Sequence, residues 1–416
     1  MQFFSNFKIL LPFLLPFALL FSRSVADVTI IMIALLFLLK SYLKRDWDWA
    51  KESWFKFACI FFAYCVFINA ALSINPTESL KYSIFFMRWP LFALALVFWI
   101  FKDAISLKKF LYTTAYLCLF LVLDSWYQYF VGVDIFGFEK FSPTRLTGPF
   151  SGPHIGMWLT KIITLPLFLL VLLKQGTKFF NQKYAYLFFL LFCATYFLTV
   201  FITGERMALL MTLLSLVIIL IGLVLNKNIS LTRVMFLLLA LGIFTYLFSN
   251  LYPEQSNRAI TSTIVKITNW QSSDYGLVWK SAYDVWQQSP LFGVGLHKYR
   301  EACELLGTYG TAAKPIGQGV CFHPHNITMQ LLSETGIAGL FIFFAMVTSL
   351  AIKLLKEHYL SKRWLCFFLL LNVLVACFLP FQSNTSFFSN KYGALVWLLV
   401  GIALAINKQL TANSQK

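Results

Sequence analysis

The sequence predicts an all-α, polytopic membrane protein with about 12 transmembrane helices and one long extramembrane loop carrying short helices. Three observations predict it. Hydrophobic residues make up 59% of the 416 and charged residues only 12%, with 46 Phe, a balance foreign to water-soluble domains. Apolar runs of 15 to 22 residues recur along the whole chain, near the ~20 needed to cross a bilayer. The basic residues gather on alternate connections between those runs.

The runs fall near 9–22, 25–40, 57–73, 84–101, 110–131, 155–173, 184–203, 207–225, 234–251, 330–352, 364–381 and 392–407. The first has the length of a signal peptide. No small-residue cleavage site follows it, and Ser22-Arg23-Ser24 leads straight into the second run, so it reads as a retained helix. With the N-terminus inside, the inward-facing segments hold 20 basic residues, from Lys8 through Lys178 to Lys416. The short outward-facing segments hold 6: Arg23, Lys81, Lys140, Arg145, Arg206 and Lys391. That bias sets orientation by the positive-inside rule and places the long loop in the periplasm. The net charge of +17 is thus topology, and a nucleic-acid partner is not expected. Six of the eight cysteines (Cys59, Cys65, Cys118, Cys193, Cys366, Cys377) lie in apolar runs as small hydrophobes. Cys303 and Cys321 share the long loop, where an oxidising compartment allows them to pair.

The chain therefore divides into a bundle of helices one to nine (1–251), a periplasmic loop (252–326) and helices ten to twelve (327–416). In the loop, Ile260, Ile264 and Ile267 share a helical face, as do Leu277 and Tyr283 and the pair Trp279 and Trp286. Tryptophan suits headgroup level, so this part is expected to lie on the membrane. Pro290, Gly293 and Gly295 then break the chain. A second outside loop, 132–154, contains Gly148, Pro149, Gly152 and Pro153, which impose turns, and it is expected to be a fixed loop. No repeat and no soluble C-terminal domain is expected.

Several polar residues stand out against this background. Arg206 follows Thr203-Gly-Glu205 between two helices with almost no loop between them, a position that holds a guanidinium at the outer face. It reads either as a bidentate donor for a diphosphate or as an interfacial arginine paired with Glu205. His325 opens the helix after the long loop and reads either as a general base or as an end residue beside a cap at Asn326. His323-Pro-His325 lacks further ligands at metal spacing, so no metal is expected. Gly336 and Gly339 are spaced to lie one above the other on the helix and to admit a close neighbour. Glu334 and Lys161 are ionisable groups within apolar runs, readable as functional or as local ion pairs. Arg88, near the start of helix four, reads either as a phosphate contact from within the membrane or as a snorkelling residue. Arg145 and His154 flank the 132–154 loop, and Asp124 and Gln128 lie one turn apart near the outer end of helix five. These polar clusters converge on one face, which argues that the working site faces outside.

Four stretches together resemble the bacterial O-antigen ligase family, within its superfamily of membrane glycosyltransferases. They are the Arg206 turn, Pro290-x-x-Gly293-x-Gly295 in the long loop, His325-Asn326 with Gly336 and Gly339 behind it, and Asp124-x-x-x-Gln128 followed by Arg145-Leu-Thr-Gly148. The resemblance covers about residues 120–345. It implies a glycosyltransferase of the bacterial inner membrane that moves O-antigen polysaccharide from undecaprenyl diphosphate to a lipid A core acceptor on the periplasmic side, with inversion. His325 and Arg206 are then the catalytic pair, with Arg145, Arg258, Arg88, His154 and Asn326 expected to bind substrate. No cofactor, nucleotide or metal is expected, because the diphosphate-linked donor is already activated; membrane lipid is the remaining partner.

The resemblance departs at one place. Family members usually carry an arginine in the long loop a few residues before an aromatic like Trp279, where this chain has Ser273-Asp274-Tyr275-Gly276-Leu277-Val278. Either Arg258, Lys280 or Arg300 replaces it, or the substrate contact differs. Three other readings stay open: a polymerase of the same superfamily, a protein O-oligosaccharyltransferase, whose relatives carry a longer soluble C-terminal portion, and a lipid-linked glycan transporter, which the absence of a repeat disfavours.

Overall fold

Each of the twelve expected runs is a helix in the computed structural model, which describes residues 2–174, 182–306, 321–380 and 386–412. Lys178 and Lys416, counted above with the inward-facing charges, and residues 307–320 of the long loop lie outside the described residues. In chain order the first helices are α1 (Gln2–Phe21), α2 (Arg23–Lys44), α3 (Ser53–Ala63), α4 (Pro76–Phe86), α5 (Arg88–Ala95) and α6 (Ala104–Val131). Then come α7 (Ile155–Ile162), α8 (Thr164–Lys174), α9 (Gln182–Ile202), α10 (Arg206–Leu225) and α11 (Leu231–Leu251). The long loop contains α12 (Pro253–Ser256), α13 (Ser262–Thr268), α14 (Asp274–Gln288) and α15 (Tyr299–Leu305). The chain continues through α16 (Ile327–Leu360), α17 (Trp364–Phe378) and α18 (Asn390–Ala412). Among the described residues, 8 helical spans are long and apolar enough to cross a membrane, and Leu10–Phe21, Ser53–Asn69, Leu191–Ile202 and Trp364–Phe378 are shorter apolar helices.

Two of the runs are bent for the same reason. Pro90 and Pro166 lack the N–H that would meet the carbonyl four residues earlier, and α4 gives way to α5 at Met87 as α7 gives way to α8 at Ile163. At the core, α18 is buried along most of its length, with Val396, Leu399, Val400, Ile402, Ala403 and Ile406 wholly enclosed. Gly393 and Gly401 let it approach Trp89 and Leu96, since a Cβ at either would sit within 3 Å of those side chains. By contrast, α11 turns most of its apolar surface outward, as a lipid-facing helix does.

The two ends of the bundle differ in chemistry. One end is basic and closed by simple clasps: Lys353 to Glu52 (3.1 Å), Arg363 to the carbonyl of Leu410 (3.0 Å) and Gln409 to that of Lys102 (3.1 Å). The other end carries the polar loops. There the long loop threads into a break in α16. Gly336 has φ +65° and ψ −175°, so it interrupts the helix and does not pack within it. This corrects the expectation of two stacked helical glycines. The amides freed by the break, Ile337 and Ala338, donate to the carbonyls of Pro290 (3.0 Å) and Leu291 (3.2 Å). Val294 and Gly295 donate back to the carbonyls of Ser333 (3.0 Å) and Glu334 (2.9 Å).

Asn69 locks the insertion. Its amide donates to Phe292 (2.8 Å) and Glu334 (2.9 Å) carbonyls, and its oxygen accepts from Leu296 (3.0 Å). The Tyr64 hydroxyl donates to the carbonyl of Thr335 at 2.7 Å. Gly339, by contrast, is helical and admits the Tyr64 ring, as a packing glycine should. Cys303 and Cys321 form a disulfide with Cα atoms 5.5 Å apart, tying α15 to the approach of α16.

Candidate active site

The site is built around the turn between α9 and α10. Gly204 adopts φ +70°, and a Cβ there would fall 1.8 Å from the carbonyl oxygen of Thr144, so only glycine allows the 132–154 loop to close on the turn. Leu146 N donates to Thr203 O at 3.1 Å across the same contact. From the other side, Gln255 donates to the carbonyls of Phe201 (3.2 Å) and Ile202 (2.9 Å), and Arg258 Nε donates to that of Gly204 (3.0 Å). Thus the carbonyls left open at the end of α9 are satisfied by the long loop, and three chain segments become one unit.

The loop bearing Arg145 is held from α6. Gln128 accepts from Thr147 N (3.1 Å) and Gly148 N (2.9 Å) and donates to Thr147 Oγ1 (2.7 Å), while Asp124 accepts from Ile135 N (3.0 Å). These two residues position the loop from below. Glu205 does not pair with Arg206. Its Oε1 accepts from Gly156 N at 2.7 Å at the start of α7, a favourable place for a carboxylate.

Arg145, Arg206 and Arg258 consequently gather around Glu205 and Tyr275. Burial pushes the Arg258 guanidinium down to about 10, and the neighbouring charges of Arg145 and Arg206 add to that. Burial likewise lowers Arg145, opposed by Glu205 and Tyr275 and reinforced by Arg206. Both remain cations at neutral pH. Burial pushes the Glu205 carboxyl up to about 7, against the Gly156 amide and Arg145, so the cluster carries a surplus of positive charge. Arg206 Nη1 and Arg145 Nε are buried and have no hydrogen-bond partner among the described residues. Arg206 also occupies the first position of α10, where the helix dipole is itself positive. A cation there costs stability unless an anion joins it.

His325 stands just before α16 in a left-handed conformation, φ +52°, and is half-buried. Asn326 holds the helix start, its Oδ1 accepting from Met329 N at 3.1 Å. The Tyr275 ring meets the imidazole edge-on, centroids 5.9 Å apart at 88°, and His323 lies 3.7 Å from it between ring centroids. Tyr275 therefore bridges the arginine cluster and the histidine. Among the described residues no group of three or more His, Cys, Asp or Glu side chains could hold a metal ion, and Cys321 is engaged in its disulfide.

Residues 187–344 match the family model described as O-antigen ligase. Over that stretch the chain is similar to the O-antigen ligase family. No curated protein matches it. The matched stretch contains Arg206, Arg258, Tyr275, His325 and the Gly336 break; Arg145 comes into the site from outside it.

Of the three candidate loop cations, Arg258 is the one bonded to the turn that carries Arg206. Lys280 is exposed and pairs with Asp284 (2.8 Å), and Arg300 pairs with Glu304 (2.9 Å) on α15. Arg88 lies elsewhere. It pairs with Asp27 (3.2 Å), donates to Asn390 (2.8 Å) and Phe85 O (2.7 Å), and so clamps α2, α5 and α18; none of these bonds reaches the three arginines. His154 precedes α7 and is half-buried, next to the amide that Glu205 accepts from. Lys161 is buried against the carbonyl of Ala376 (2.5 Å) and the hydroxyl of Tyr392 (3.1 Å). Glu334 accepts from His297 N (3.0 Å) and Gln330 (3.2 Å), which makes it part of the loop insertion. Sequence reasoning missed Gln255 and the bridging place of Tyr275, because neither residue type signals chemistry until the loop is folded back.

Proposed function

We propose that the protein transfers O-antigen polysaccharide from undecaprenyl diphosphate to a lipid A core acceptor at the periplasmic face of the inner membrane. The observation that carries this reading is the trio of neighbouring arginines next to Tyr275, the ring that meets His325, two of them with buried guanidinium nitrogens that have no partner among the described residues. Buried donors without partners are costly, and a diphosphate offers enough oxygens to satisfy several of them.

In this mechanism an acceptor hydroxyl attacks the anomeric carbon from the side opposite the phosphate. His325 takes the hydroxyl proton as the new C–O bond forms. The bond from the anomeric carbon to the diphosphate oxygen breaks, and its electron pair leaves with undecaprenyl diphosphate. Arg206, Arg145 and Arg258 stabilise the charge that gathers on the leaving group, an electrostatic contribution fixed in place before reaction. Attack from the opposite face inverts the anomeric centre. Tyr275 meets the imidazole edge-on and so lies between the base and the arginine cluster's neighbourhood as a positioning contact.

Deleting the gene and resolving the lipopolysaccharide on a gel tests the reading. Lipid A core without polymer, with lipid-linked polymer retained, is the expected result. Core bearing a single repeat unit would assign a polymerase instead, and unchanged lipopolysaccharide would contradict both.

A further inference from the structure

Trp270 lies beside the site and has no part in the mechanism above. Its place is fixed by backbone contacts. Its carbonyl accepts from Ser273 N (3.0 Å) and Ser273 Oγ (2.7 Å), and a Cβ on Gly276 would fall 2.0 Å from that oxygen. The start of α14 can therefore close onto Trp270 only because residue 276 is glycine. The indole nevertheless remains 37% exposed, although Trp279 packs edge-on against it at 4.7 Å between ring centroids. Its plane lies within 6° of the Tyr275 ring, centroids 6.4 Å apart, and Tyr275 meets His325. Two near-parallel aromatic rings thus run from the exposed indole to the neighbour of the base.

The chemistry of such a surface points to one class of ligand. An aromatic face carries partial negative charge, and a pyranose ring presents weakly positive C–H bonds on one of its faces. The rings are rigid and need no ordering on binding, so the contact costs little entropy.

We propose that Trp270 and Tyr275 form a shelf that seats one sugar ring of the glycan beside His325. This rests on the transferase reading, and it goes beyond it by assigning Trp270 and Tyr275 to carbohydrate and leaving the diphosphate to the arginines. Donor and acceptor both supply sugar rings, and kinetics separate the two sources.

Two measurements on the full-length protein in nanodiscs test the proposal. The first is an NMR titration with the free oligosaccharide released by mild acid from the lipid-linked glycan of cells that make this protein. The second is steady-state transfer, with intact lipid-linked glycan and lipid A core varied separately. Trp270→Ala is expected to weaken oligosaccharide binding about tenfold and to raise one KM by a similar factor, with kcat changed about twofold or less. The substrate whose KM rises is the one seated on the shelf. Trp270→Phe should keep most of the affinity, and Trp270→Leu, which keeps apolar bulk without a ring face, should lose it. Unchanged binding and unchanged KM values in Trp270→Ala would overturn the proposal, as would a Trp270→Leu variant equal to wild type. If Trp270→Ala fails to accumulate, the Phe and Leu variants decide alone. Oligosaccharide binding that depends on Trp270 in a protein that transfers nothing would keep the shelf and remove the transferase reading. Transfer by Trp270→Ala with oligosaccharide binding and both KM values unchanged would do the reverse.

Discussion

Arg258 donates its Nε–H to the carbonyl of Gly204, 3.0 Å away and two residues before Arg206. One hydrogen bond thus joins the long loop to the tight turn, and it places the guanidinium beside Arg145 and Arg206, whose charges it feels.

This relationship predicts which loop cation serves the reaction. Arg258→Ala should lower transfer by ~10²-fold, the usual effect of removing one fixed charge stabiliser. Lys280→Ala and Arg300→Ala should stay near wild type, because each ends in a local pair on its own helix. Transfer rates normalised to protein abundance check this. A fall in the Lys280 or Arg300 variant equal to that of Arg258→Ala would contradict it.

The turn itself should tolerate nothing but glycine. Gly204→Ala combines a left-handed backbone with a 1.8 Å overlap on Thr144 O and should cost at least ~1–3 kcal/mol. Gly242→Ala is the control. Its Cβ meets nothing within 4 Å on α11, so the substitution should be neutral or stabilise by ~0.5–1 kcal/mol through helix propensity. Thermal unfolding in detergent should show Gly204→Ala melting below wild type and Gly242→Ala at or above it.

Glu205 predicts a pH dependence of stability. Its carboxyl sits at about 7 in the folded protein against an ordinary value of 4.5. Between those values the folded state keeps a proton that the unfolded chain has lost, so stability from this group falls as pH rises through the window. Glu205→Gln keeps an acceptor for Gly156 N and cannot ionise. Its melting temperature should match wild type near pH 4.5, exceed it increasingly up to about pH 7 and hold a constant lead above. A lead that shrinks with rising pH would be the wrong sign.

Orientation follows from charge placement. A phosphatase fused after Gly295 should be active and one fused after Arg363 inactive, because the first lies with the polar loops and the second at the basic end. The reverse pattern would move the site to the cytoplasm.

The twelve apolar runs were legible because a bilayer demands length and apolarity, both visible in one dimension. The fixed 132–154 loop was legible from its glycines and prolines, and the Cys303–Cys321 bond from the two cysteines outside the apolar runs. Arg206 and His325 were legible as residues out of keeping with their position. The break at Gly336 was not. A glycine spaced for a helix has the same sequence signature whether it packs against a neighbour or admits a strand of loop, and only Asn69, far away in sequence, shows which. Arg88 looked like a phosphate ligand for a similar reason, since its partners Asp27 and Asn390 come from opposite ends of the chain. Glu205 looked like the partner of Arg206 by adjacency and instead holds the start of α7.

The most direct test of the central claim is transfer of labelled lipid-linked glycan to lipid A core in proteoliposomes, comparing wild type, His325→Ala and Arg206→Lys at equal protein. His325→Ala should fall by ~10²–10⁴-fold through loss of the base. Arg206→Lys should fall by ~10²–10³-fold, because lysine keeps the charge and loses the bidentate fork. Folding of both variants should match wild type by melting temperature. Transfer by His325→Ala at the wild-type rate would contradict the account.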